Sequence, residues 1–195
     1  AGAFPLLVEI LDSGSTEGKA QAASALTSLA GSNAGKAAMV EAGALRPLTA
    51  LLTDGDIEGR ARAAGLVSAL VVEKDEEMPE DLSKLVPPPS VESIIDAGVL
   101  APLVDLLTTG SAEGKLQAAG ALFQFTTKPE NHRAVLGAGC LAPLVQLLSS
   151  GPDPKSRAWA AGTLRQLAST PEQREAIEAA VPRGGGRESL LRTLQ

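Results

Sequence analysis

A chain of 195 residues that is 44% hydrophobic yet only 2% aromatic must build its core from Ala and Leu, which suits closely stacked helices and gives little support to a sheet. The formal net charge of −6 argues against a general phosphate-binding surface, though not against a local basic patch, so no nucleic-acid partner is expected. The one cysteine, Cys140, excludes an intrachain disulfide framework and points to a reducing, intracellular setting, cytoplasmic or nuclear.

The sequence repeats itself. An Ala-Gly pair opens at Ala1, Ala42, Ala97 and Ala138, at intervals of 41, 55 and 41 residues, and a Gly closes a Leu-rich stretch 13 residues after each opener, at Gly14, Gly55, Gly110 and Gly151. An Ala-Ala patch follows at Ala22, Ala63, Ala118 and Ala160; the last is displaced by one residue, which the turn Pro152-Asp153-Pro154 adds. A period near 41 predicts an array of about four copies, 1–41, 42–96, 97–137 and 138–178, with a partial fifth over 179–195, together one domain.

In the first copy, Phe4 to Leu11 has helical apolar spacing, with Pro5 tolerated in the first turn. Ser15 then caps a second helix whose buried stripe is Ala22, Leu26 and Leu29, and a short third helix spans about Ala34 to Glu41. Because Ala1 enters without the short helix that precedes the other openers, the chain is expected to be a piece of a longer protein, with Leu6, Leu7 and Ile10 near an uncovered end. No signal-peptide pattern is legible, and no apolar run approaches the ~18 residues of a membrane helix, so direct membrane insertion is not expected.

The second copy repeats the pattern with Leu48, Leu51 and Leu52, the cap Asp56, and the stripe Ala64, Val67 and Leu70, reaching about Val72. The longer middle interval is taken up by an acidic, proline-closed insertion, Glu73 to Ser90. Pro87, Pro88 and Pro89 exclude a continuous helix there and predict a surface loop with an extended exit. In the third copy Ser111 caps a helix over about Ala112 to Thr127. In the fourth, Asp153 caps and Pro154 takes the first helical position of a helix reaching about Ala168, and a short helix follows over Glu172 to Ala180. Arg183-Gly184-Gly185-Gly186-Arg187 reads as a flexible linker rather than a phosphate nest, before Leu190, Leu191 and Leu194 resume a helical stripe.

A short helix, a Gly, a Leu-rich helix with an early Pro and a longer Ala-rich helix, recurring about every forty residues, resemble the armadillo repeat across essentially the whole chain. The segments from Glu41 to Gly55, EAGALRPLTALLTDG, and from Asp96 to Gly110, DAGVLAPLVDLLTTG, carry the likeness most directly. The resemblance implies an all-α, right-handed armadillo-type solenoid whose third helices line a concave groove for extended peptides or partner domains. Family members that carry nuclear cargo use a Trp and, four residues on, an Asn along the third helix. Those places read Ser24 and Ser28, Gly65 and Ala69, Gly120 and Gln124, and Gly162 and Gln166. The missing Trp and Asn ladder removes most support for a nuclear-cargo role.

If those places mark the groove, helical geometry adds the positions three and seven before them. The candidate stripe is then Glu17, Gln21, Ser24 and Ser28; Glu58, Arg62, Gly65 and Ala69; Glu113, Gln117, Gly120 and Gln124; and Lys155, Trp159, Gly162 and Gln166. Three Glu at one register make an acidic edge suited to a segment with basic residues, while glycines leave a shallow floor; alternatively the Glu only complement helix macrodipoles. Trp159 is a binding hot spot or a packing residue against the fourth and fifth copies. Lys19, Arg60, Lys115 and Arg157 form a second ladder, expected to be solvated on the outer or lateral side. The acidic cluster Asp75, Glu76, Glu77, Glu80 and Asp81 is expected to be a solvated loop rather than a partner site.

Little catalytic chemistry is legible. His132 and Cys140 are the sole His and Cys, each at a repeat position where a surface or small core residue belongs, and no His or Cys spacing matches a metal site. The expectation is a non-catalytic protein-binding scaffold without cofactor or metal. The alternatives are a structural subunit of a large assembly and the substrate-recruiting region of a larger enzyme such as a ubiquitin ligase.

Overall fold

The computed structural model describes residues 2–72, 87–180 and 192. Among them the chain is all-helical, without strands. Each copy supplies two long helices and a short one: α1 (Ala3–Ser13), α2 (Thr16–Leu29) and α3 (Asn33–Glu41); α4 (Leu45–Asp54), α5 (Ile57–Val71) and α6 (Val91–Asp96); α7 (Leu100–Thr109), α8 (Ala112–Thr126) and α9 (His132–Gly137), entered through a 3-10 turn at Pro129–Asn131; and α10 (Leu141–Ser150), α11 (Pro154–Leu167) and α12 (Pro171–Ala180). The helices group into two compact units, residues 1–99 and 100–195. The expected loop over residues 73–86, its acidic cluster, and the Gly-rich and Leu-rich segments of 181–191 and 193–195 lie outside the described residues.

The helix boundaries follow local chemistry. Ser15, Asp56, Ser111 and Asp153 each accept a bond from the backbone N–H three residues on, at 3.1, 2.8, 3.1 and 2.8 Å, as the sequence predicts. The second residue of the repeated Ala-Gly pair has φ of +82° at Gly43, +83° at Gly98 and +79° at Gly139, so the turns into α4, α7 and α10 need a residue without Cβ, whereas Gly2 before α1 has φ of −129°. The glycines that close those helices are required for a different reason. At Gly14, Gly55, Gly110 and Gly151 a Cβ would stand between 2.3 and 2.5 Å from the carbonyl oxygen four residues back.

In the first unit α1 pairs with α2, α4 pairs with α5, and α2 lies along α5. Its core is aliphatic and small: Ala22, Ala23, Leu26, Leu48, Leu52, Ala63, Ala64, Leu66 and Val67 are all buried. Lys36 of α3 is also fully buried, and its ammonium donates to the Val72 carbonyl at the end of α5, which offsets part of its desolvation. Leu29 departs from the burial expected of its helical stripe, at 41% exposure, whereas the 58% exposure of Leu6 accords with its expected place near an uncovered end.

In the second unit α7 pairs with α8, α10 pairs with α11, and α8 lies along α11. Leu103, Ala118, Ala119, Leu122, Phe125, Leu144, Ala160 and Leu164 form its core. The C-terminus of α8 is closed by side chains: Asn131 Nδ2 donates to the Phe125 carbonyl at 3.0 Å, and His132 Nε2 lies 2.9 Å from the Thr126 carbonyl. No single described helix is long and apolar enough to cross a membrane.

Candidate functional site

The repeated triplet Glu-Gly-Lys/Arg begins α2, α5 and α8 and divides its labour. The Glu takes the second helical position, where its charge complements the helix N-terminus, and Glu17, Glu58 and Glu113 are all exposed. The Gly lets the helix start approach the preceding helix, since a Cβ on Gly59 or Gly114 would lie 2.8 or 3.3 Å from Cδ1 of Leu51 or Leu106.

The basic residue turns the other way, and here the expectation of a solvated ladder is corrected. Lys19 Nζ donates to the Asp12 carbonyl at 2.7 Å, Arg60 Nε to Leu52 at 3.1 Å, and Arg157 Nη1 to Gly151 at 2.8 Å. These three cations are half-buried and satisfy carbonyls at the end of the preceding helix. A cleft of about 340 Å³ between the ends of α1 and α4 is lined by Asp12, Lys19, Pro47 and Asp56, among others, and by none of the candidate stripe residues.

On the α2 and α5 face of the first unit, Glu17, Gln21, Ser28, Glu58 and Arg62 are exposed, and Ser24, Gly65 and Ala69 are half-buried. Arg62 Nη2 pairs with Glu58 Oε1 at 3.2 Å, with side chains 51% and 59% exposed, so one acidic position is partly neutralised by its own stripe. On the α8 and α11 face of the second unit, Glu113 and Lys155 are exposed, Gly120 is buried, and Gln117, Gln124, Trp159, Gly162 and Gln166 are half-buried. Gln117 Nε2 donates to Glu113 Oε1 at 2.6 Å, and the Gln166 side-chain amide lies 2.5 Å from Thr126 Oγ1, bridging α11 to α8.

The glycine floor expected in this second unit is filled. Trp159 reaches from α11 to α8, where its Nε1 is 3.8 Å from the place a Cβ on Gly120 would occupy. Phe123 reaches the opposite way, and its Cε2 stands 2.7 Å from the Cβ position of Gly162. The two rings meet at a centroid distance of 4.7 Å and a tilt of 50°. Each glycine is thus the socket for the other helix's aromatic ring, and Trp159 packs back on the third copy. Phe123 did not figure in the candidate stripe; the available signal was that it is one of only three Phe in the chain, next to the stripe residue Gln124.

Neither reactive-looking residue is placed for catalysis. His132 is a buried helix-closing group, and no hydrogen bond joins it to Cys140 among the described residues. Burial pushes the Cys140 thiol up to about 12, far from the thiolate that nucleophilic or metal chemistry requires. No group of three or more His, Cys, Asp or Glu that could hold a metal ion is found among the described residues.

The comparisons agree with this architecture. The armadillo/beta-catenin-like repeat pattern matches residues 87–126 and 128–169. No curated protein sequence matches the chain. Among solved structures, the crystal structure of one engineered protein is 32% identical, with a TM-score of 0.80 over 98% of this chain and 72% of that one. Another engineered protein is 28% identical, with a TM-score of 0.80 over 99% of this chain and 80% of that one. A designed armadillo repeat protein in complex with the peptide (KR)4 is 25% identical, with a TM-score of 0.76 over 100% of this chain and 82% of that one. Three-helix copies, a left-handed Gly at three of the four openers and these likenesses lead to one conclusion: the chain belongs to the armadillo repeat family and has its all-α solenoid fold.

Proposed function

We propose that this chain is a non-catalytic protein-binding scaffold that receives an extended, lysine- or arginine-bearing segment on the faces formed by α2 with α5 and by α8 with α11. The observation that carries the reading is the recurrence of Glu17, Glu58 and Glu113, all exposed, at one helical register. A designed armadillo protein of the same fold, bound to a (KR)4 peptide, supports it. Each exposed ion pair contributes only about 0 to 1 kcal/mol, so affinity requires several acting together along with backbone contacts.

The test is fluorescence anisotropy with a labelled (Lys-Arg)4 peptide at two salt concentrations. Reversing Glu17, Glu58 and Glu113 to Lys is expected to weaken binding about tenfold or more, the sum of three such pairs, with the larger loss at low salt. The control reverses Glu9, Glu41 and Glu130, which are exposed and off the stripe, and so makes the same change in net charge. Equal losses in both variants would reduce the effect to overall charge and end the groove assignment. The ladder of Lys19 and Arg60 is unsuitable as a control, because those side chains close helix ends.

A further inference from the structure

The fourth copy inverts the sign of the repeated position. The second residue of the longer helix is Glu17 in α2, Glu58 in α5 and Glu113 in α8, but Lys155 in α11. A carboxylate there is favoured by the helix N-terminus, whereas an ammonium is not, so helix stability does not account for Lys155. Internal pairing does not account for it either. Arg62 and Gln117 bond back to the Glu four residues earlier, at 3.2 and 2.6 Å, but the residue four after Lys155 is Trp159, which offers no acceptor in its side chain. Lys155 is exposed and has no ion pair or side-chain hydrogen bond among the described residues, even though Asp153 is close in sequence; the Asp153 carboxylate accepts from Ser156 N at 2.8 Å. The neighbouring cation, Arg157, is committed to the Gly151 carbonyl.

Trp159 supplies a second donor. Its ring is braced by Phe123 and seated over Gly120, and its indole N–H meets no acceptor among the described residues. Lys155 and Trp159 are four residues apart on α11, one turn and about 6 Å along its axis. A flexible ammonium next to a fixed N–H donor, with no acceptor of their own, is complementary to a carboxylate.

We propose that this part of the face receives an Asp or Glu side chain of the bound segment, held by the Lys155 ammonium and the Trp159 indole N–H. The partner is then bipolar, basic where it meets Glu113 and acidic where it meets α11. This inference rests on the segment-binding reading above.

The chain has one Trp, so the ¹⁵N-labelled protein shows a single indole N–H resonance. Labelled (Lys-Arg)4 peptides carrying Gly-Glu-Glu at either end are compared with twins carrying Gly-Gln-Gln. The added negative charge weakens any general attraction to an acidic protein, so tighter binding of a Glu peptide reports a local site. One of the two Glu peptides is expected to bind about two- to fivefold tighter than its twin, the scale of an exposed charge pair. It is also expected to move the indole resonance further than the twin does. Lys155→Gln should abolish the preference, and Trp159→Phe, which keeps the ring against Phe123, should reduce it while helicity is retained. If Trp159→Phe does not fold, Lys155→Gln and the indole resonance decide. Equal affinity for the twins, or a preference that survives Lys155→Gln, overturns this inference alone. Failure of every peptide to bind overturns the basic-segment reading and this one with it.

Discussion

Gly120 and Gly162 hold the same register in adjacent helices, yet alanine at the two positions should have different consequences. In a helix, Ala is favoured over Gly by about 1 kcal/mol, and that gain should appear wherever the added methyl has room. At Gly120 it has room, since the new carbon would stand 3.8 Å from Trp159 Nε1, an ordinary contact. At Gly162 it would stand 2.7 and 2.9 Å from Cε2 and Cδ2 of Phe123. Two adjacent ring atoms are struck, so rotation about the ring axis gives no escape and the whole ring must withdraw. Withdrawal disturbs the contact with Trp159, worth about 0.5 to 1.5 kcal/mol, in addition to the strain of overpacking. Gly120→Ala is therefore expected to stabilise the second unit by about 0.5 to 1 kcal/mol, and Gly162→Ala to fall about 1 to 2 kcal/mol below it. Urea unfolding followed by Trp159 emission and by helical circular dichroism measures the difference, and the emission should shift only for Gly162→Ala. Equal stabilisation by the two substitutions would refute the interlocked-ring account.

Two further outcomes concern single side chains. Cys140 should resist thiol reagents near pH 8 until the protein unfolds. Because its folded pKa is raised from 9.0 to about 12, the neutral thiol's contribution, roughly 4 kcal/mol at most, is fully present below pH 9 and is lost as pH rises toward 12. Rapid labelling of the native protein would contradict this burial. Asp153→Ala should cost about 0.5 to 2 kcal/mol through loss of the α11 cap, measured by thermal unfolding. The Ser156 N–H, foremost among several partners, holds the Asp153 carboxylate below its usual range. Its stabilising effect is accordingly present above the normal carboxylate pKa and lost as pH falls through the lower folded one, and a variant with unchanged acid sensitivity would argue against the cap.

The parts of this fold that were legible in the sequence are those fixed by neighbours along the chain. Ser15, Asp56, Ser111 and Asp153 each act on a backbone N–H only three residues away, so residue type and spacing suffice to place them. The candidate stripe took its register from the family resemblance and only its remaining positions from helical period; the structure leaves most of it exposed or half-buried and buries Gly120. What was not legible depends on how far a side chain reaches through space. Lys19 and Arg60 look like surface charges in a helical projection, and only the return of the preceding helix brings carbonyls seven and eight residues earlier within their reach. Gly120 and Gly162 read as vacancies because a glycine carries no sign of what fills it; the occupants come from residues 39 positions apart in the chain. Phe123 escaped notice because the register drawn from the family places its neighbour, Gln124, in the groove.

The contrast between the two kinds of joint within a copy bears on how such a protein can change length. Between its two long helices each copy has a tight joint, where a Cβ on the glycine would clash with the carbonyl oxygen four residues back, and a cap residue one or two positions on starts the next helix. In the fourth copy the joint holds one more residue, Pro152, and Asp153 still meets the Ser156 N–H at 2.8 Å. The corner between the second long helix and the short one differs from copy to copy: Ser32 caps α3 and a Cβ on Gly35 would stand 2.2 Å from the Leu29 carbonyl oxygen, Asn131 and His132 close α8, and between α5 and α6 the chain carries its longest addition. A grafted loop, protease site or affinity tag therefore belongs between α5 and α6, where the sequence already carries its longest addition, rather than at the glycine joints or at the capped corners after α2 and α8.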